Sequence, residues 1–224
     1  LSRQCSDYGS LFEQCQDCWQ DFAMVSKTAA KSSYHHGGLQ AALVEAAINL
    51  VRKYGPDQLS LRAVSADVGV SPSASYHYFK DKDDLVSAAG YVLFEQLASM
   101  QEKAIAKVKG KSAEAARKKF EAMGYAYFEW ATTEPNLYRL IFGGFCEHQM
   151  ENDDSKAWKL LSEGLDELVA QGVMDKSARN GGEVIVWSAV HGASSLAIEG
   201  LMPESAFPLV IKSVERSLGI KERN

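Results

Sequence analysis

The stretch LRAVSADVGVSPSASYHYF, Leu61 to Phe79, decides the fold of this 224-residue chain. Leu61, Val64 and Val68 recur at three and four residues, the spacing of one helix face. Ser60 stands where a capping hydroxyl is wanted, and Gly69 follows the last apolar residue, where a left-handed backbone commonly closes a helix. Ser71 and Pro72 repeat the start signal, because a proline at the first helical position sacrifices no hydrogen bond. Two helices joined by so short a turn form a helix-turn-helix, whose second helix enters the major groove of DNA. That helix is expected from Pro72 to about Phe79. Phe79 turns back to the core, while Ser73, Ser75, Tyr76, His77 and Tyr78 offer donors, acceptors and aromatic faces to base edges and phosphates. A plain helical hairpin with a polar surface has the same pattern, so the flanks matter.

Upstream, Leu43, Ala46, Ala47, Leu50, Val51 and Tyr54 make a helical stripe starting near Leu39 and ended by Gly55 and Pro56. This helix is scaffold for the other two. Lys27 to His36 reads as a basic arm of the kind that lies along phosphates or enters the minor groove, or as a plain disordered terminus. Cys5, Cys15 and Cys18 lack the two close ligand pairs of a zinc site, and the adjacent His35 and His36 suit one ion poorly, so no metal is expected. Composition changes from acidic and Cys-rich to basic at Met24, the first methionine, which marks it as the expected native start. Downstream, KDKDD, Lys80 to Asp84, opens a helix expected to reach Lys109. Lys82 falls in its first turn, where ammonium and backbone N–H groups can face one phosphate. Asp83 and Asp84 favour the same helix end through the dipole.

The formal net charge is −5, which by itself argues against nucleic acid. Its distribution reverses that inference. Residues 1–23 carry one basic against four acidic side chains, residues 24–82 seven against four, and the remainder 16 against 21. Only the helix-turn-helix segment is cationic, as suits a protein that touches phosphate at one end. No apolar run approaches the roughly 20 residues that span a bilayer, so a soluble protein without a membrane partner is expected. Four cysteines, three of them in the first 18 residues, make no disulfide framework, and a reducing cytoplasm is expected.

Beyond Gly110 every segment has helical periodicity. Ala116, Phe120, Met123, Tyr127 and Trp130 share a face; Pro135 opens a short helix, Asn136 to Phe142, ended by Gly143 and Gly144. Trp158, Leu161, Leu165 and Leu168 make another, closed by Gly172. A long helix is expected near Ser177 to Leu201, and a last one from about Ser205 to Leu218. The fold class is therefore all-α, with about nine helices and no alternating strand pattern. Phosphate-cradling glycine loops, H-E-x-x-H and G-x-S-x-G are absent from the sequence, and no cofactor is expected. Cys146 and His148 flank Glu147, but such near neighbours point in different directions. An enzyme, hydrolase-like at most, is the less favoured class.

Gly55, Leu61, Arg62, Val64, Ala66, Gly69, Val70, Ser71, Tyr76, Phe79, Lys82 and Leu85, with the run GVSPSASYHYFKDKDDL, resemble the N-terminal domain of the TetR family of bacterial transcriptional regulators. The match covers roughly Tyr34 to Ala89. Trp187, His191 and Gly192 in WSAVHG resemble the motif of the WHG subgroup of ligand domains. Composition sets off a leader and arm over 1–33, and the resemblance implies a DNA-binding domain over 34–81 and an effector-binding and dimerisation domain over 82–224. The DNA contacts would be Ser60, Arg62, Ser71, Pro72, Ser73, Tyr76, His77, Tyr78 and Lys82. It implies a homodimeric repressor on a double-stranded, palindromic operator, released when a small-molecule effector shifts the connecting helix. A helical adaptor that keeps the fold without binding DNA is the alternative, favoured by the weak positive charge and by a recognition helix lacking arginine.

Two further sets of residues are expected to act. Met123, Tyr127, Trp130, Phe142, Phe145, Trp158, Trp187 and His191 supply the aromatic and soft apolar lining of a cavity for a largely apolar effector. Each also suits a plain core. The helix across Glu183 to Leu201 has two apolar sides and must be buried on both. Ile185, Ala189, Gly192, Leu196 and Gly200, the side with small residues, are assigned to a partner subunit. Phe207, Ile211, Val214 and Leu218 of the last helix would complete a four-helix interface.

Overall fold

The computed structural model describes residues 36–143 and 155–220. Among them are nine α-helices and no strand: α1 His36–Tyr54, α2 Leu61–Val68, α3 Pro72–Tyr76, α4 Lys82–Lys107, α5 Ala113–Thr133, α6 Pro135–Phe142, α7 Lys156–Ala170, α8 Gly182–Ile198 and α9 Phe207–Ser217. The leader, the basic arm with His35, and Phe145, Cys146, Glu147 and His148 lie outside the described residues. No helix here is long and apolar enough to cross a membrane.

Local chemistry sets most helix ends. Ser60, Ser71, Asp81, Ser112 and Ser155 each accept a bond from the backbone N–H three residues on, supplying a partner to an otherwise unpaired donor. Gly69 closes α2 at φ +78°, a region that costs a Cβ-bearing residue about 1 kcal/mol or more. In the head, Leu43, Ala47, Val51, Leu61, Val64 and Phe79 are all buried. In the bundle, α5 is the central helix, packed against α4, α6, α7 and α8, while α8 also packs on α7 and α9. Gly124 sits in mid α5, where glycine ordinarily weakens a helix by about 1 kcal/mol. A Cβ there would stand 2.9 Å from Ile211 Cδ1 of α9, so the glycine permits their close approach.

Three expected boundaries are corrected. Helix α3 stops at Tyr76, because the Ser75 carbonyl accepts from both Tyr78 N and Phe79 N and turns Phe79 inward. The long helix expected from Ser177 starts at Gly182 instead. Asp175 Oδ1 holds Ser177 N in a turn at 2.8 Å, and Gly181 breaks the path at φ +77°. The last helix starts at Phe207, after a single 3-10 turn over Glu204–Ala206.

Candidate nucleic-acid interface and internal cavity

The capping serines do two jobs at the head. Ser60 Oγ accepts from Ala63 N and Ser71 Oγ from Ala74 N, both at 3.2 Å. Each hydroxyl proton is thereby left to donate outward. Ser60, Arg62, Ser71, Pro72, Ser73, Tyr76 and His77 are exposed, and Tyr78 and Lys82 are half-buried. Tyr76 shows 52% of its surface, a large aromatic on a polar face. Lys82 is the first residue of α4, and its ammonium reaches the Pro56 carbonyl at 3.4 Å, which ties α4 to the end of the scaffold turn. Ser75, expected outside, is fully buried: its hydroxyl meets Ser65 Oγ at 2.7 Å, while Ser65 donates to the Leu61 carbonyl at 2.6 Å. Ser65 has one proton, so Ser75 must be the donor in their pair. Ser75 is therefore a clamp between α2 and α3 and not a contact for DNA.

The bundle contains a cavity of about 60 Å³, against the roughly 10–15 Å³ that one water needs on the same accessible measure. Met123, Tyr127, Trp158 and Trp187 are on its wall, as the sequence suggested. Trp130, Phe142 and His191, expected there, are not. They form an aromatic cluster behind the wall, because α6 packs its rings against α5 and α8. Phe142 stands edge-on to His191 at 4.6 Å, Tyr138 stacks on His191 at 5.2 Å, and Trp130 lies 6.5 Å from Tyr138.

One chain of hydrogen bonds joins wall and cluster. The Trp187 indole N–H, which can only donate, faces the Tyr127 hydroxyl and lowers its pKa against the effect of burial. Tyr127 Oη lies 3.0 Å from His191 Nδ1, and the Tyr138 hydroxyl donates to the His191 carbonyl at 3.0 Å. Burial lowers the His191 pKa and raises those of both tyrosines, so all three are neutral near pH 7. A neutral imidazole can accept at Nδ1, and Tyr127 is assigned as the donor there on that ground.

The two faces expected for the dimer fare differently. On α8, Ile185 and Leu196 are 40% and 46% exposed, and a Cβ at Gly192 would meet nothing within 4 Å. Ala189 is half-buried and Gly200 exposed. Phe207, Ile211, Val214 and Leu218 of α9 are instead buried in this chain's own core, so they have no surface to offer a partner. The stripe is covered by α5 and α8 of the same chain.

Residues 43–89 match the family of bacterial regulatory proteins, tetR family, and residues 120–218 match the tetracyclin repressor-like C-terminal domain. The chain belongs to the TetR family. It is thus a DNA-binding transcriptional regulator, built on the all-helical fold described above. Solved structures share that fold. A protein of unknown function from Rhodococcus sp. RHA1 is 24% identical with a TM-score of 0.63, over 86% of this chain and 100% of that one. A TetR-family transcriptional regulator from Haemophilus influenzae RD is 15% identical at 0.60, over 83% and 99%. RolR in complex with resorcinol is 14% identical at 0.56, over 81% and 88%. Comparison with curated proteins gave no match.

In this TetR-family chain, several wall residues escaped sequence reasoning. Phe94, Leu97 and Gln101 come from the connecting helix, and Ile211 and Val214 from the last one. The signal for Gln101 was present: Leu93, Leu97 and Gln101 are spaced by four, a lone amide in an otherwise apolar stripe. For the other four, apolar periodicity marks burial without saying what lies opposite.

Proposed function

We propose that this regulator is a repressor that binds a palindromic operator as a homodimer and leaves it when a small, largely apolar effector fills the bundle cavity. In this reading residues 34–81 read DNA, and 82–224 hold effector and partner. The observation that carries it is the exposed row of Ser60, Arg62, Ser71, Ser73, Tyr76 and His77, set on two capped helices whose inner faces are fully packed. Beyond the caps made by Ser60 and Ser71, such a row adds nothing to the packing of the head, and its donors suit phosphates and base edges. Ser60, Ser71, Tyr76, Tyr78 and Lys82 would fix the register on phosphate, Ser73 and His77 would face bases, and Arg62 and Pro72 would flank them. The exposed apolar arc of Val184, Ile185 and Leu196 around Gly192 on α8 supports the second copy, whose two-fold axis requires inverted half-sites.

Release requires the effector to bind the non-operator conformation better than the operator-bound one. The connecting helix α4 supplies Phe94, Leu97 and Gln101 to the wall and begins at Lys82 in the head, so one rigid element spans both sites. RolR holds resorcinol on the same fold, which supports a small-molecule effector. Selection from a random duplex pool, followed by sedimentation of the complex, tests the reading. Two copies on an inverted repeat are expected. Recovery of no enriched site would favour the adaptor reading, and one copy per site would remove the dimer.

A further inference from the structure

Gln101 stands apart among the buried polar side chains of the described residues. Ser65 and Ser75 pair with each other, Ser194 donates to the Val190 carbonyl at 2.8 Å, and Glu215 is held by Arg117 through two bonds of 2.8 and 2.9 Å. Gln101 is 6% exposed, and its Oε1 has no hydrogen-bond partner among the described residues. Exchanging the amide atoms does not rescue it. Nε2 faces the Met123 carbonyl at 3.4 Å, and the swap would set oxygen against oxygen. The oxygen is thus an acceptor in want of a donor, and the side chain that bears it lines the cavity.

The other polar groups of the wall narrow what that donor is. The Trp187 indole faces the Tyr127 hydroxyl, and that hydroxyl is engaged by His191 at 3.0 Å. No Asp, Glu, Lys, Arg or His contributes to the wall among the described residues, so nothing there balances a charged ligand. Ser155 Oγ accepts from Trp158 N at 3.1 Å, and the rest of the wall is apolar and aromatic. Resting on the reading of this cavity as the effector site, we infer that Gln101 is its specificity-determining acceptor, and that the effector is a neutral ring compound carrying a hydroxyl or N–H donor for Gln101 Oε1. A site with a buried acceptor rejects a shape-matched molecule lacking the donor, because binding that molecule would leave the acceptor unpaired.

Phenol and toluene, alike in shape and differing in the donor, are the probes. Titrated into the full chain and followed by tryptophan fluorescence and calorimetry, phenol binds about tenfold more tightly than toluene, the effect of one satisfied buried hydrogen bond. In Gln101→Met, which keeps the length and removes the acceptor, the order reverses and toluene binds better. Gln101→Leu gives the same reversal if the methionine variant folds poorly. Equal affinities in the wild type, an order unchanged in both variants, or no binding of either probe at millimolar concentration would each overturn the assignment. Operator binding, measured in parallel, separates this inference from the reading beneath it. If phenol binds through Gln101 yet leaves operator affinity unchanged, the acceptor stands and the cavity's role as effector site fails.

Discussion

The head and the bundle treat buried polarity in opposite ways. Between α2 and α3, Ser65 and Ser75 bury two hydroxyls that satisfy each other and the Leu61 carbonyl, so the recognition helix is held by a closed set of bonds. In the bundle, Gln101 buries an oxygen that no described residue satisfies. A paired group defines one geometry; an unpaired one leaves a demand that a ligand can meet. The contrast suits the roles proposed for the two regions. A DNA-reading surface has to be rigid, whereas a cavity that answers an effector has to gain free energy on being filled.

The largest expected effect probes whether the bundle is otherwise as closed as the head. Arg117 holds the buried Glu215 with two bonds and also touches Glu121 at 3.2 Å. Burial, with Glu215 nearby, raises the Glu121 pKa, so this neighbour adds to the crowding of carboxyl groups. Arg117→Ala strands a buried carboxylate and should cost about 3–5 kcal/mol in urea denaturation. A loss below about 1 kcal/mol would show that the cluster is solvated and the bundle loosely satisfied.

Next in size is the head's own clamp. Ser65→Ala removes the acceptor for the Ser75 hydroxyl and should destabilise by about 1–3 kcal/mol. Ser65→Ala with Ser75→Ala should cost less than the two single losses added together, because no donor is then left unpaired. Strict additivity would dissolve the contrast between a closed head and an open cavity. On the outer surface of the same motif, His77→Ala should relax base preference at one or two positions of each half-site, at about 1–3 kcal/mol. Lys82→Ala should weaken all duplexes alike and lower the salt slope. The opposite pattern in a binding series over salt and sequence would mean that the helix docks differently.

The smallest effect concerns His191, the joint between wall and aromatic cluster. Burial lowers its folded pKa below the ordinary 6.5, and the side chains around it, Tyr127, Tyr138, Phe142 and Trp187, carry no charge near neutrality. The unfolded chain therefore takes up the proton first. Stability is intact above pH 6.5 and declines as pH falls toward the lowered folded value. Comparing melting temperatures of wild type and His191→Gln between pH 8 and 5.5 isolates this contribution, because other titrating groups are common to both. Parallel curves would place a charged imidazole in the fold.

What the sequence determined by itself is local. Ser60, Gly69, Ser71 and Pro72 act within four residues of their own positions, so the ends of α2 and the start of α3 follow from chemistry any reader of the chain can apply. The same holds for the apolar faces, since periodicity reports that a face is buried. Tertiary structure decided what each face is buried against. It turned Ser75 inward to Ser65, covered the Phe207, Ile211, Val214 and Leu218 stripe with helices of the same chain, and moved Trp130, Phe142 and His191 off the wall. It also brought Gln101 to a cavity whose lining runs from Phe94 to Val214. A 3.6-residue repeat fixes the direction of a side chain about its own helix axis, but the neighbour it meets depends on how separate helices cross, and no residue spacing encodes that.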